Sequence, residues 1–575
     1  MAGVGVMAVS IKILRAGLDL LPYGLLLAGR FVLLWLFGDD AGLPSWVLIQ
    51  LLFSLFLFYA FSCLIHPAYA ALSSLLTEAL LVEANAIKVG HTGVPVSARD
   101  LVEVGQAASL TGYASVGMYV TVVLLALAVF LGWKYRVRGW RSWLGRLPFG
   151  LPLMLLIWLF AFSDGAVSVQ GREFLCRAHI CYYSWNPVFN SRKNGALAHL
   201  LMTSEAIRTP AKSDHDFYRH EQLPSTLQPS RPDLIMILCE SCFTTLDGRF
   251  DTSMKLLADD GLMPFSLLSP VYGGNTPEAE FETITGLSSA VFPGVDYQNF
   301  FDRYRTDSDT LPRRFRDAGY FAASLHNFKS DFWRRNFVHP LLGFQKSVFI
   351  DDMDPGGMLL NGLRISDDIL YSSALDLYEK IPNGQPVFLY LITMHTHGDY
   401  AVRNNDFGES DYRQRLSESM EDMREFLKRI RLAAQGRKRP LAIVIFGDHK
   451  PALSRVFYNT GVFPARLFDA PIAEQGNPGF VLQPSYVLWK ERARVSAFAW
   501  LPAGDRETKE FVDRLNDKPM FCLPAELSGL VEGRDNAFWS SVNGICQQPD
   551  AVFSGEKGNP WGRFFPEGIY AERLF

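Results

Sequence analysis

The chain has 575 residues, a formal net charge of −4 and 49% hydrophobic residues. This length allows two or three domains with a sizeable core, and the slight negative charge excludes the basic balance expected for a nucleic-acid partner. Hydrophobicity is concentrated in residues 1–165, whereas the remainder has the composition of an ordinary globular protein. The sequence therefore predicts an apolar N-terminal part followed by a water-exposed domain.

Several apolar stretches are long enough to cross a bilayer, which takes about 20 residues per helix. The run 41–77 is long enough for two short spans that join near His66. A cleaved signal peptide is the alternative for the first stretch, but no small-residue cleavage site follows a short apolar core. Five spans are predicted in total: 18–37, two within 41–77, 114–133 and 147–163.

Basic residues near the predicted spans indicate their orientation. Lys12 and Arg15 precede the first span, and five lysines and arginines lie in the loop 134–146. Because basic loops stay in the cytoplasm, the chain after Ser163 is expected outside. The predicted organisation is a five-helix transmembrane domain at 1–165, a connector at 166–230 and an extracytoplasmic catalytic domain at 231–575. A loop at 85–113 is expected between the third and fourth spans.

Cysteines bear on the redox compartment of the predicted outer domain. Cys176 and Cys181 lie close together, and Cys522 and Cys546 flank a C-terminal stretch that reads as loop-rich. An oxidising compartment favours two disulfides, with free buried thiols as the alternative. A further pair, Cys239 and Cys242, is interpreted as packing residues rather than a zinc site, since no second pair has that spacing.

From residue 233 onward the pattern is that of an α/β domain. Short apolar runs typical of buried parallel strands occur at 233–239, 319–325, 387–393 and 441–446. Helical patterns lie between them, for example at 371–381 and 412–433. Strands that alternate with helices predict a largely parallel sheet, and ligands of such sheets lie at the carboxyl ends of the strands.

Polar side chains follow each of these strand ends. We expect them to converge on one edge of the sheet, where Asp, Glu and His are suitable ligands for zinc, manganese or magnesium. An Asp-His pair alone is more often a structural hydrogen bond, and a satisfied polar rim is the alternative for the whole set. The residues are Glu240-Ser241, His326-Asn327, His395 with His397, and Asp448-His449.

Thr276 is the candidate nucleophile. It follows a Gly-rich turn and opens a predicted helix with Pro277 at a favoured first position and acidic residues in the first turn. Backbone N–H groups and the helix dipole favour an anion there. A metal can activate a hydroxyl in this place, whereas the simpler reading is that Thr276 only caps the helix.

These residues carry a family resemblance. Residues 1–165 and about 230–450 resemble the lipoteichoic acid synthase and phosphoglycerol transferase group of the alkaline phosphatase/sulfatase superfamily. The matching segments are Leu-Cys-Glu-Ser around Glu240, Gly-Gly-Asn-Thr at Thr276 followed by Glu-Phe-Glu-Thr-Ile-Thr-Gly, and Phe-Gly-Asp-His at Asp448. His326 with Phe-Trp-Arg-Arg at 332–335, and His395, resemble the substrate site of that group.

The resemblance implies a membrane enzyme of the bacterial inner membrane with a sulfatase-like catalytic domain in the periplasm. One divalent metal, Mn²⁺ first and Mg²⁺ or Zn²⁺ as alternatives, is expected on Glu240, Thr276, Asp448 and His449. Phosphoglycerol would pass from phosphatidylglycerol in the lipid bilayer to a glycan or glycerol-phosphate acceptor through a phospho-threonine. Substrate contacts would come from His326, Trp333, Arg335 and His395, with His395 or His326 assisting proton transfer.

The chain departs from the family pattern at two places. Arg334 replaces the usual Asn, so Arg335 is the predicted phosphate contact, and Met-His-Thr-His-Gly replaces the usual Asn-His-Tyr-Pro-Phe. The two arginines would repel the ammonium of ethanolamine and leave glycerol unaffected. A phosphoethanolamine transferase, a phosphodiesterase and a non-catalytic membrane scaffold remain alternatives. A sulfatase activity is disfavoured, because the sequence around Thr276 contains no Cys-x-Pro-x-Arg motif.

Overall fold

The protein is described by a computed structural model in two compact units. One unit comprises Met1–Gly90 and Val94–Ala206, and the other comprises His91–Gly93 and Ile207–Phe575. The structure describes residues 24, 28–29, 54–92, 95–97, 100, 115–136, 191, 195–202, 223–225, 227, 230–245, 247–289, 309–330, 332–354, 365–398, 400–464, 486–531 and 537–547.

The described part of the first unit is helical. Residues 54–62 form a helix that breaks near His66, as predicted, and the chain resumes in a helix at Pro67–Thr92. This helix continues past Thr77, so the expected loop at 85–113 is wrong over residues 85–92. The other described helices of this unit are Val116–Lys134 and Ala196–Met202.

Two of the described helices, Pro67–Lys88 and Val116–Lys134, are long and apolar enough to cross a membrane, against five spans predicted. The predicted spans 18–37 and 147–163 lie outside the described residues, apart from helical residues 24 and 28–29. The His66 N–H, where the chain breaks before Pro67, donates to the Gly132 carbonyl at 3.0 Å, and a Cβ on Gly132 would come within 2.8 Å of the Tyr69 side chain. The small residue therefore permits close packing between the two helices.

The second unit contains an eight-stranded mixed sheet in the order β4-β3-β5-β1-β6-β7-β2-β8. Neighbours from β4 to β6 are parallel, whereas β7 runs antiparallel to β6 and β2. The α/β class is confirmed, and the sheet is largely parallel as predicted, with β7 as its antiparallel strand. The strands are β1 Asp233–Cys239, β2 Met263–Leu268, β3 Phe321–His326, β4 Lys346–Phe349, β5 Val387–Ile392, β6 Leu441–Gly447, β7 Arg494–Trp500 and β8 Lys518–Pro519.

Helices surround this sheet, and the two predicted at 371–381 and 412–433 are present with extended bounds. Strand β3 begins two residues later than predicted, because Gly319 adopts a left-handed φ of 91° that ends the preceding helix. The helices are Lys255–Asp259, Thr276–Thr285, Leu311–Asp317, Arg335–Leu342, Asp367–Lys380, Glu409–Gly436, Ser454–Asn459, Tyr486–Ala493, Asp505–Leu515, Cys522–Leu527 and Ala537–Cys546. Short 3₁₀ helices occur at Phe332–Arg334, Ile350–Asp352 and Ser528–Leu530.

Both faces of the sheet are buried, which explains the uninterrupted apolar runs. In β1, Leu234 and Met236 face one core cluster, whereas Ile235 and Ile237 face the other. Successive side chains of a strand point to opposite faces, so a strand covered on both sides is apolar throughout. Both faces of the sheet are therefore occupied by core packing, and its functional polar side chains lie at the ends of the strands.

Two disulfides are present in the described part of this unit. Cys522 and Cys546 are bonded and join two helices of a C-terminal stretch that had been expected to be loop-rich. Cys239 and Cys242 are buried in the core, as their interpretation as packing residues predicted, and they are also bonded to each other, which the sequence did not indicate. The three-residue separation of Cys239 and Cys242 did not indicate a disulfide, because a turn with two free thiols can have the same separation. Cys176 and Cys181 lie outside the described residues.

Candidate active site

The carboxyl ends of β1 and β6 bring three candidate metal ligands together. These strands are parallel neighbours with Cys239 opposite Gly447, so Glu240 and Asp448 leave the sheet side by side. Glycine is required at 447, since a Cβ there would lie 2.1 Å from the carbonyl oxygen of Cys242. This close approach places Glu240 against Asp448.

Thr276 reaches the same place from the loop after β2. Asn275 precedes it in the left-handed region, with φ 73°, and starts the helix Thr276–Thr285, hereafter the threonine helix. The Thr276 hydroxyl lies 2.7 Å from Oδ2 of Asp448 and 3.2 Å from Oε2 of Glu240. The predicted nucleophile therefore points its oxygen into the carboxylate pair.

His449 completes a buried cluster, which we call the carboxylate cluster: Glu240, Asp448 and His449. Nε2 of His449 lies 3.2 Å from Oδ2 of Asp448 and 3.6 Å from Oε1 of Glu240. One ligand atom from each residue lies within 4.8 Å of the other two. The Nδ1 of His449 is 3.0 Å from the carbonyl oxygen of Lys450, which suits a proton on Nδ1 and a lone pair on Nε2.

The electrostatics of the carboxylate cluster fit a divalent cation. Burial and the neighbouring Glu240 carboxylate raise the pKa of Asp448 to about 7. Burial acts to raise the pKa of Glu240 as well, but His397 and His449 hold it below its ordinary value. Two buried carboxylates beside one imidazole lone pair form an acceptor-only set, which is the donor chemistry that zinc, manganese or magnesium binds.

His326 lies at the end of β3, two strands away from β1 in the sheet order. Its Nδ1 is 3.0 Å from the carbonyl oxygen of Ile392, to which it donates in the neutral ring. Burial, and then the Arg335 guanidinium, lower the pKa of His326 well below its ordinary value. Nε2 is buried with no hydrogen-bond partner among the described residues. The shift favours a neutral imidazole whose Nε2 has no partner in the part of the chain that the structure describes.

The loop after β5 contains two histidines in different surroundings. Nε2 of His395, the predicted substrate contact, lies 2.9 Å from Glu418 of the helix Glu409–Gly436. His397 instead acts electrostatically on Glu240 and is half-buried. Sequence reasoning noted His397 after the strand but did not select it. The sequence shows only that His397 follows His395 by two residues, and this spacing does not show which of the two rings interacts with Glu240.

Arg335, the predicted phosphate contact, is engaged by the threonine helix. Its Nε lies 3.1 Å from Oε1 of Glu280, and its Nη2 also contacts that oxygen. Both side chains are buried, at 2% and 0% exposure. Burial acts to raise the pKa of Glu280, but Arg335 and His339 lower it to about 2. The guanidinium therefore has an internal carboxylate partner, which the resemblance did not indicate.

Trp333 lies just before Arg335 in a strained turn. Trp333 and Arg334 have left-handed φ values of 56° and 50°, uncommon for residues with side chains. The Trp333 ring contacts Phe332 edge-on, with ring centroids 5.5 Å apart, and Phe332 contacts Phe328 at 4.9 Å. Since His326 and Phe328 are also in edge contact at 6.2 Å, an aromatic row extends from Trp333 to His326.

The Sulfatase family model matches residues 232–521, just over half of the chain. The chain belongs to the sulfatase family. The matched region includes the carboxylate cluster, Thr276, His326 and Arg335. Membership establishes the superfamily that the sequence resemblance indicated.

The curated relatives match this chain over only part of their own length. A candidate cyclic beta-1,2-glucan modification protein of Rhizobium meliloti is 28% identical over 371 residues, covering 60% of this chain and 56% of that protein. Lipoteichoic acid synthase 2 of Bacillus subtilis is 26% identical over 193 residues, covering 31% of this chain and 27% of that protein. The matches thus span about half or less of these relatives.

Among solved structures, the integral membrane lipooligosaccharide phosphoethanolamine transferase A of Neisseria meningitidis is similar with a TM-score of 0.49 and 12% identity. That similarity covers 91% of this chain and 96% of the other.

Proposed function

We propose that this protein is a membrane-anchored, metal-dependent transferase of the bacterial cell envelope. It moves phosphoglycerol from phosphatidylglycerol to a glycan or glycerol-phosphate acceptor through a phospho-threonine at Thr276. The observation that carries the proposal is the direction of the Thr276 hydroxyl, which points between Asp448 and Glu240. A threonine that only capped its helix would place its oxygen over the backbone N–H groups of the first turn.

The residues of the chain suit an in-line displacement at phosphorus. Oγ1 of Thr276 loses its proton and attacks the phosphorus atom, the bond to the diacylglycerol oxygen breaks, and that oxygen takes up a proton. The acceptor hydroxyl then loses its proton and attacks the same phosphorus, the bond to Oγ1 breaks, and Thr276 takes a proton back. The backbone N–H of Thr276 and the positive end of the threonine-helix dipole stabilise negative charge on the phosphoryl oxygens, since Pro277 has no N–H and the Glu278 N–H donates to the Asn275 carbonyl.

A divalent cation held by Glu240, Asp448 and His449 would lower the pKa of the Thr276 hydroxyl, and Mn²⁺ is the ion that the family resemblance favours. The imidazoles are suited to proton transfer. His397 interacts electrostatically with Glu240. Nε2 of the neutral His326 ring has no hydrogen-bond partner among the described residues. His397 therefore joins His326 and His395 as a candidate acid or base.

The assignment of phosphoglycerol as the transferred group rests on the family resemblance rather than on the charges of Arg334 and Arg335. Arg335 was expected to repel an ethanolamine ammonium, but Glu280 neutralises it within the protein. The guanidinium of Arg334, the other arginine of that expectation, lies over the Phe337 ring at 4.6 Å. Phosphoethanolamine transfer is therefore the alternative that the test must separate.

A periplasmic glucan is the acceptor that we favour. The relative from Rhizobium meliloti is named for the modification of a cyclic beta-1,2-glucan, and it shares the longest of the matched segments reported above. A glucan offers many equivalent hydroxyls, which suits a transferase that presents a covalent phosphoglycerol to solvent. A glycerol-phosphate polymer is the other acceptor to be tested.

The proposal is tested by mass spectrometry of the Thr276 peptide after the purified full-length enzyme is incubated with Mn²⁺ and one phospholipid at a time. A phosphoglycerol adduct from phosphatidylglycerol is expected, and it should disappear when cyclic glucan is added. Thr276→Ala is the matched control and should show no adduct. A phosphoethanolamine adduct formed faster would promote the alternative transferase, release of free head group without acceptor indicates a phosphodiesterase, and no adduct with no turnover indicates a scaffold.

A further inference from the structure

Ser241, which was named among the polar strand-end residues but not among the metal ligands, contacts every member of the carboxylate cluster. The Ser241 hydroxyl donates to Oε1 of Glu240 at 2.8 Å and lies 3.4 Å from Nδ1 of His449. The backbone N–H of Ser241 donates to Oδ1 of Asp448 at 2.7 Å. No function has been assigned to Ser241 by its position in the sequence or by the family pattern used above.

The backbone around Ser241 is held in an unusual conformation. Ser241 has a left-handed φ of 50°, which is unfavourable for a residue with a side chain. It lies inside the four-residue turn that the Cys239–Cys242 disulfide closes, with Cys242 N also donating to Cys239 O at 3.3 Å. The Ser241 carbonyl accepts a 2.8 Å hydrogen bond from the Tyr412 hydroxyl.

The same turn is joined to both neighbouring strands. The Asp448 N–H donates to the Cys239 carbonyl at 3.3 Å, and Gly447 packs directly on the Cys242 carbonyl. On the other side, Glu240 N–H donates to the Thr393 hydroxyl at 2.9 Å. A covalently closed turn that is hydrogen-bonded on both sides has little freedom to rotate.

We propose that Ser241 is a positioning residue for the metal ligands and that the Cys239–Cys242 disulfide maintains the conformation that Ser241 needs. The hydroxyl orients the Glu240 carboxylate, and the Ser241 N–H directs the second oxygen of Asp448 away from Thr276. Groups that orient metal ligands in this way commonly affect metal affinity as much as they affect activity. The inference rests on the proposed metal dependence and extends it to two cysteines and a serine.

The test is a Mn²⁺ titration of the purified full-length protein followed by electron paramagnetic resonance. Ser241→Ala keeps the disulfide but loses the hydroxyl, and Mn²⁺ affinity should fall about 10- to 100-fold. The resonance of bound Mn²⁺ should also change shape, because Glu240 is no longer held in one orientation. A residue that stabilises only the fold would lower the melting temperature without changing that spectrum.

Two further variants separate the hydroxyl from the backbone. Ser241→Gly adopts a positive φ without strain, so it should lose Mn²⁺ affinity as Ser241→Ala does, with a smaller loss of stability. The double variant C239A/C242A keeps the hydroxyl and should also bind Mn²⁺ more weakly. C522A/C546A is its matched control, since it removes the disulfide between two C-terminal helices and should leave Mn²⁺ affinity unchanged.

Each outcome decides a different statement. Wild-type Mn²⁺ affinity and spectrum in Ser241→Ala overturn the role of Ser241, and wild-type affinity in C239A/C242A overturns the role of the disulfide. If C239A/C242A does not fold, Mn²⁺ affinity is compared between the oxidised and the reduced form of C522A/C546A; equal affinities would overturn the disulfide claim, and Ser241→Ala still decides the rest. Absence of Mn²⁺ binding in the wild-type protein would instead contradict the proposed metal-dependent function.

Discussion

The hydroxyl of Thr276 donates a 2.7 Å hydrogen bond to Oδ2 of Asp448, although 172 positions separate the two residues in the chain. Asp448 presents this oxygen because its other oxygen accepts backbone N–H groups from Ser241 and His449, at 2.7 and 2.8 Å. The carboxylate is thus held from one side and faces the nucleophile with the other. This arrangement leads to the predictions that follow.

Replacement of Thr276 by Ala should reduce turnover by roughly 10³-fold or more, because the reaction would lose its nucleophile. The fold should remain, since the substitution removes one hydroxyl and one methyl group from a helix start. Head-group release from phosphatidylglycerol measures turnover, and circular dichroism measures folding. Thr276→Ser is the control and should keep part of the activity. Near-normal turnover in Thr276→Ala would show that another group is the nucleophile.

Asp448 should make the metal-free protein less stable as the pH rises. Its folded pKa is raised to about 7, so the folded state keeps a proton that the unfolded chain releases near a pKa of about 3.9. Stability contributed by this group is therefore present at low pH and is lost between about pH 4 and pH 7. Mn²⁺, which binds the deprotonated carboxylate, should raise the melting temperature more near pH 8 than near pH 5.

Asp448→Asn is the control for this pH dependence. The amide cannot titrate, so the variant should lack the loss of stability in this pH window, and it should also retain less metal by elemental analysis. Thermal unfolding of both proteins, each freed of metal by a chelator, gives the comparison. The assignment would be contradicted by identical pH profiles for the wild-type protein and Asp448→Asn.

Arg335→Ala should destabilise the protein by about 3–5 kcal/mol, because it leaves the Glu280 carboxylate buried without its guanidinium. The double variant Glu280→Gln with Arg335→Met should recover much of this loss. Chemical denaturation measures the free energy of unfolding. If Arg335→Ala instead keeps its stability and loses only donor affinity, Arg335 is the phosphate contact that the family resemblance implied.

His397→Gln should reduce turnover more than His395→Gln, since His397 acts on Glu240 whereas His395 pairs with Glu418. A general acid or base typically contributes about 10²–10⁴-fold to the rate. Head-group release from phosphatidylglycerol by the two variants is the measurement that compares them. A larger effect of His395→Gln would favour His395, the predicted substrate contact, over His397.

Topology can be tested with a reporter fused after Phe575. The basic residues at 134–146 predict that the catalytic domain lies outside, so alkaline phosphatase there should be active. A reporter that works only in the cytoplasm, fused at the same point, is the matched control and should be inactive. Activity of the cytoplasmic reporter would overturn the predicted orientation.

The sequence by itself determined the α/β class and the candidates at the strand ends. Buried strands are apolar throughout, and helices have a different period, so β1, β5 and β6 can be located without a structure. The rule that ligands lie at the carboxyl ends of parallel strands then selects Glu240, His326 and Asp448-His449. Thr276 follows from helix-start chemistry, because Pro277 and acidic residues in the first turn are local signals.

Only the tertiary structure decided which partners these side chains have. Arg335 and Glu280 lie on different elements, and no local pattern shows that they neutralise each other. The bonded state of Cys239 and Cys242, and the carboxylates that His395 and His397 interact with, depend on how a turn or loop packs against its neighbours. Sequence periodicity reports burial and local conformation, whereas ion pairs, disulfides and metal-ligand contacts depend on the distances between elements that folding brings together.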